Sequence, residues 1–145
     1  MDQTERLATL RGAELAELRK LVLPDGTPNI AELRRRAWDC SAIDDKSIFD
    51  EDAFRLASAF QAAGATHFFV ARTCDLLLSS DSVPMFRFAA VKEEIEAFQG
   101  PAWFEINLDD SLLFCIPISC AVLRPGSVGM TTFMGSPVFV EMAPG

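Results

Sequence analysis

The chain has no tyrosine and a single histidine, His67. The first absence removes a common acid–base and stacking side chain. The second leaves too few imidazoles for an H-E-x-x-H zinc site. Its four cysteines, Cys40, Cys74, Cys115 and Cys120, form no C-x-x-C pair, so neither a zinc framework nor a disulfide scaffold is indicated, and they read as mostly buried, reduced thiols. No GxxxxGK[ST] or GxGxxG loop is present, which takes away the usual marks of nucleotide binding. No window reaches the roughly 18 uninterrupted apolar residues of a membrane span. Basic residues are also in deficit: 13 Lys and Arg against 21 Asp and Glu give a net charge of −8. That sign repels a phosphate backbone, argues against nucleic-acid binding and permits steering of a cationic partner. Nothing in these patterns calls for a cofactor or a metal.

What is present is enough for a hydrophobic core. The chain has 145 residues, half of them hydrophobic and twelve of them Phe, which is the size of one ordinary domain. A single domain over 1–145 is expected, with a helical part at 1–64 and a sheet part at 65–145. The opening MDQTERLATLRG is charged and lacks the basic-then-apolar layout of a secretion signal, so a cytoplasmic location is expected. Charge is unevenly spread. Residues 1–40 hold seven acidic and seven basic side chains, so the whole excess lies in 41–145.

Periodicity then assigns elements. Leucines 7, 10, 15, 18 and 21 with Val22 share one face of a helix that Thr4 can cap, and PDGTPN ends it. Asn29 and Glu32 form a variant capping box opening a helix through Leu33 to Trp38. Arg34, Arg35 and Arg36 point in three directions from it and read as solvated. AFRLASAFQAAG runs helical to Gly64. THFFVART has apolar residues on both faces, as an interior strand does. Phe86 and Phe88 mark a second strand, and VKEEIEAFQG a short helix closed by Gly100. WFEINL alternates as a half-buried strand, and Asp109-Asp110 would turn it into SLLFCIPIS, where Pro117 ends or bulges the strand. RPGSVG reads as a loop. SPVFVEM reads as a final strand with Val138, Val140 and Met142 inward. The sum is an α+β fold: N-terminal helices packed on a mostly antiparallel sheet with one inserted helix.

Three constellations invite a functional reading. DCSAIDDKSIFDED, residues 39–52, concentrates carboxylates before an apolar run. Asp50 stands where a helix N-cap belongs and Glu51 and Asp52 complement the dipole of the first turn. Asp44 and Asp45 have no such local use, and EF-hand spacing fails because no Gly follows. With Glu93, Glu94 and Glu96 extending the field, these residues form a candidate surface for a basic protein. For nucleophilic catalysis the candidates are Cys74 with His67, though on a single strand their odd offset sends them to opposite faces, and a serine near Gly126, where GSVG departs from G-x-S-x-G and no second histidine is available. The adjacent pairs Asp109-Asp110 and Glu93-Glu94 diverge by local geometry, so neither makes a convergent acid–base couple.

HFFVAR, VKEEIEAF, INLDDSLLFCI and GSPVFVEM, spread over residues 66–142, together resemble in outline the small acidic immunity proteins that bacteria encode beside polymorphic and contact-dependent-inhibition toxins. The resemblance implies a cytoplasmic, non-enzymatic protein that binds and blocks a cognate basic toxin domain, and it transfers no catalytic residue. The alternative expectation is a small-molecule enzyme or ligand-binding domain using His67 and Cys74.

Overall fold

The computed structural model describes residues 3–126 and 128–145. Seven strands form one antiparallel sheet: β1 (Leu7–Arg11), β2 (Asp39–Ile43), β3 (His67–Arg72), β4 (Ser82–Ala89), β5 (Ser111–Phe114), β6 (Cys120–Arg124) and β7 (Thr131–Gly135). Their spatial order is β1-β4-β3-β5-β6-β7-β2. The helices are α1 (Gln3–Arg6), α2 (Gly12–Arg19), α3 (Ile30–Arg35), α4 (Asp50–Ala62), α5 (Thr73–Leu77), α6 (Lys92–Ala97), α7 (Phe104–Leu108) and α8 (Pro137–Met142), with a 3-10 turn at Pro101–Trp103 before α7. The α+β class follows directly.

Both faces of the sheet are covered. In β3, Phe68 and Val70 point into a cluster with Leu56, Phe60, Ile95, Phe98 and Phe139, while Ala71 belongs to a second cluster with Leu15, Leu18, Leu33 and Leu76. The same two-sided alternation continues through Leu113 against Leu112 and Val122 against Leu123. Period-2 side-chain geometry makes this split unavoidable in a strand that is apolar throughout. One layer of helices, α4, α6 and α8, therefore faces the sheet opposite another made of α2, α3 and α5.

Several sequence expectations are corrected. The five-turn helix from Thr4 to Val22 does not form: Leu7–Arg11 pairs in register with residues 82–86, and Gly12 at φ 65 turns the chain into α2. Five ladder pairs on an open sheet edge outweigh helix periodicity, which by itself stabilises a short helix only marginally. The expected division into a helical 1–64 and a sheet-forming remainder gives way too, because both edge strands, β1 and β2, come from the N-terminal part. WFEINL is not a strand and makes no hairpin with β5. Asn107 donates its amide to the Phe98 carbonyl at 2.7 Å and the Trp103 carbonyl at 2.9 Å, closing a helical turn with Trp103 and Ile106 buried three apart. SPVFVEM is helical as well. Ser136 caps it by accepting from the Phe139 N–H, Pro137 occupies the first turn, and Phe139 rather than Val138 is buried. More than one helix is inserted in the sheet part: α5, α6 and α7 all lie between strands.

Other expectations hold. Asn29 accepts from the Glu32 N–H at 3.3 Å, α4 stops before Gly64 at φ 85, and the strand before Pro117 ends at Phe114. The arginine triplet is only partly solvated, since Arg36 is largely buried between Glu32 and Glu17 and over the Trp38 ring. Among the cysteines, Cys115 and Cys120 are buried whereas Cys40 and Cys74 are exposed.

Candidate functional site

The acidic stretch is held against α6 by a set of specific bonds. Ile48 is fully buried, its N–H donates to Gln99 Oε1 at 2.8 Å, and its carbonyl accepts from Gln99 Nε2 at 2.6 Å. The Asp50 N–H donates to Glu96 Oε2 at 2.7 Å. Asp45 has a structural use after all: its carboxylate accepts from the Ser47 N–H at 2.9 Å and its carbonyl from Thr131 Oγ1 at 2.8 Å. Asx turns of this kind are what Asp supplies in loops. Asp50, in contrast, is not the N-cap. Phe49 occupies that position without a side-chain bond, and Asp50 sits at φ 53, a left-handed conformation that Asp tolerates better than most residues.

The expected surface residues divide into two groups. Asp44, Asp50, Glu51 and Glu93 are exposed, and Asp52 and Glu96 are half-buried. Glu96 also faces Lys92 at 3.6 Å. Glu94 turns inward instead: Arg6, only 8% exposed, donates to both of its oxygens at 2.7 and 2.9 Å. That bidentate bond, helped by the Arg6 charge, holds the Glu94 carboxyl below its usual range. The Asp50 backbone and the Glu96 carboxylate meet across the α4–α6 interface, so residues 46 apart in sequence share one face.

Sequence reasoning missed the apolar members of this face. Phe49 is 44% exposed and Phe54 is 60% exposed. Phe54 lies one turn beyond Asp50, on the same side of α4 by i,i+4 spacing. The signal was available: the buried stripe of α4 runs Ala53, Leu56, Ala57, Phe60, and Phe54 falls off it.

A second polar region lies where β3 passes into α5. The Arg72 guanidinium pairs with Asp109, which raises its pKa further. A cleft of ≈430 Å³ opens on the Arg72 side, walled by Phe86, Trp103 and Phe104. One of ≈370 Å³ opens on the Asp109 side and includes Cys74, Leu77 and Asp110. Asp110 turns away from its neighbour to accept from the Gly126 N–H at 2.7 Å, so the two carboxylates diverge as expected. A side chain at Gly126 would collide with the Leu108 carbonyl oxygen, which explains the glycine. His67 is elsewhere. It opens β3, its ring bonded to Thr66 Oγ1 at 3.0 Å, while Cys74 lies beyond the strand's far end, with roughly 17 Å of strand between. The structure does not assemble the Cys74–His67 pair.

Among the described residues, no three His, Cys, Asp or Glu side chains are grouped to hold a metal ion, and no helix is long and apolar enough to cross a membrane. Comparison with family models, with curated proteins and with solved structures finds no match to this chain.

Proposed function

We propose that the chain is a non-enzymatic cytoplasmic binding protein whose acidic face docks a basic protein, in the manner of an immunity protein that holds a cognate toxin domain inactive. The observation that carries this reading is Phe49 and Phe54, both exposed, set among Asp44, Asp50, Glu51, Glu93 and Glu96. Interfaces draw most of their binding energy from a few buried aromatic or arginine anchors, and their charged rims mainly set partner choice and association rate. This face has both parts. The Gln99 clamp and the Asp50–Glu96 bond fix it before any partner arrives, which reduces the ordering cost of association.

The test is to search the reading frames beside the gene for one that encodes a basic protein and to co-express the two. The reading requires a complex that survives gel filtration at low salt, growth protection of the host, and loss of both in the Phe54→Ala, Glu51→Lys double variant. A folded double variant that protects as well as the wild type would move the interface elsewhere. Absence of any complex would remove the function.

A further inference from the structure

Cys115 and Cys120 flank the turn between β5 and β6. The last ladder pair of that hairpin is Phe114 opposite Ala121, so the next pair outward sets Cys115 opposite Cys120. Both side chains point to the aromatic face and join its core, 2% and 0% exposed. Their sulfurs stand 3.3 Å apart and are not bonded. Cys120 owes its place to Gly135, its partner in β7: a Cβ there would come within 3.0 Å of the Cys120 Cβ and 2.9 Å of the Phe139 ring. Among the described residues no third ligand joins the two thiols, so a structural metal site, which needs four ligands, is not what the pair builds.

We propose that Cys115 and Cys120 are a redox modification site, oxidised by hydrogen peroxide to an intramolecular disulfide across the β5–β6 hairpin. The sulfurs need to close from 3.3 Å to about 2.05 Å, a movement within reach of side-chain rotation in directly opposed strand residues. Cys115 is the sulfur that meets the oxidant. It adjoins the turn, where Ile116 and Pro117 are exposed, and its Sγ lies 3.2 Å from Ser119 Oγ and 3.4 Å from the Pro117 carbonyl. The bond from the Cys120 thiol lowers its pKa to about 6, whereas the same contact and burial raise that of Cys120. A thiolate is the reactive form, so the two sulfurs are unequal in the required sense.

The chemistry balances without a cofactor. The Cys115 thiolate attacks one peroxide oxygen, the O–O bond breaks, and hydroxide leaves and takes a proton from solvent to become water. Cys115 is then a sulfenic acid. The Cys120 sulfur attacks it, the S–O bond breaks, and the departing hydroxide takes the Cys120 proton as a second water. Two thiols and one peroxide give one disulfide and two waters, with two electrons passing from sulfur to oxygen. Peroxide is small enough to reach a site under a four-residue turn.

The experiment uses the full chain. After exposure to a tenfold excess of hydrogen peroxide, the protein is denatured, alkylated and digested with trypsin. Cys115 and Cys120 then lie alone in the fragment beginning at Glu93, apart from the fragments that carry Cys40 and Cys74. The expected result is that this fragment is lighter by two hydrogens and unalkylated, and that a dithiol reductant restores double alkylation. In Cys120→Ser, a dimedone adduct is expected on Cys115. The proposal is overturned if the fragment remains doubly alkylated at a peroxide dose that oxidises the exposed Cys74. It is equally overturned if sulfinic acid accumulates there without a disulfide, or if a folded Cys120→Ser variant forms no adduct on Cys115. Should the serine variant not fold, the wild-type masses decide alone.

Discussion

The two faces of the sheet are filled with different chemistry. One side is built from stacked and tilted rings, with Phe68 between Phe60 and Phe88 at centroid distances of 5.3 Å on each side. The other is mostly aliphatic, dominated by Leu10, Leu15, Leu18, Leu21, Leu33, Leu76, Leu112 and Leu123, with one stacked pair of rings, Phe69 and Phe114. The aromatic face also takes in charge. Arg6 lies 4.4 Å from the Phe88 ring centroid and Arg124 5.0 Å from that of Phe98, and Arg124 is 3% exposed with no carboxylate partner among the described residues. Its bonds go to the Lys46 carbonyl and Asn107 Oδ1, and burial lowers its pKa to about 10. Ring faces attract cations, so an aromatic core can accept a guanidinium that an aliphatic one would reject. Arg6 and Arg124, and the loop whose Lys46 carbonyl Arg124 holds, therefore lie on the aromatic side.

Substitutions can sharpen or break that contrast. Phe68→Ala should cost about 4 kcal/mol and Leu112→Ala about 3 kcal/mol, because the ring leaves the larger cavity and forfeits its contacts with Phe60, Phe88 and Phe98. Urea denaturation measures both, and a larger loss at Leu112 would show that the aliphatic face is the stronger one. Asn107→Ala comes next, at roughly 2–3 kcal/mol. It removes two bonds that shape α7 and leaves a buried guanidinium short of an acceptor.

Glu94→Gln should cost roughly 1 kcal/mol near neutral pH, since the pair is part-exposed on the carboxylate side. The depressed Glu94 pKa fixes the sign of its pH dependence. A carboxylate held below its unfolded value adds stability that is present above about pH 4.5 and is lost as pH falls through the folded value. The acid limb of a stability–pH profile should therefore be shallower in Glu94→Gln. An unchanged limb would mean that Arg6 finds another acceptor.

The smallest effect on stability is expected at the outer rim. Asp44→Lys with Glu51→Lys should change unfolding by no more than ~0.5 kcal/mol while slowing association with the basic partner roughly tenfold at low salt. Stopped-flow kinetics across salt concentrations reads this directly, because screening beyond about 8–10 Å erases such steering. Arg34→Glu, on the helix layer of the aliphatic face, should leave the rate unchanged. Faster association in Arg34→Glu, which makes the chain more negative, would mean that net charge alone, rather than this face, governs encounter.

The aromatic face was more legible in the sequence than its surroundings. HFFVAR shows its two-sided burial by composition alone, and VKEEIEAFQG shows its helix through both periodicity and the closing glycine. The errors share a physical origin. In LATLR, WFEINL and SPVFVEM a short segment fits both periods, and tertiary partners decide between them. For WFEINL those partners are the Phe98 carbonyl and the Arg124 guanidinium, both bonded to Asn107, which no local pattern reveals. For SPVFVEM the capping Ser and first-turn Pro were visible, and period-2 alternation was weighted above them. The acidic loop was legible as charge but not as structure: Gln99, which clamps it, lies 51 residues from Ile48. Phe54 could have been found by comparing its angle on α4 with the buried stripe.

The sheet's outermost strands have a consequence for how the molecule comes to be. β1 hydrogen-bonds to residues 82–86 and β2 to residues 131–135, so both are made early on the ribosome and have no partner until much later. The pairs β3–β4, β5–β6 and β6–β7 close by short connections, and β3–β5 by a longer one that is still shorter than those to β1 and β2. Long-range closure is the slow part of folding. Assembly therefore runs from the centre outward, with the first-synthesised strands fitted last. Pulsed hydrogen exchange during refolding should protect amides of 67–72 and 111–114 before those of 7–11 and 39–43. Until β2 docks, the loop that follows it lacks the Thr131 contact that fixes its start, and the acidic surface is one of the last parts of the protein to exist.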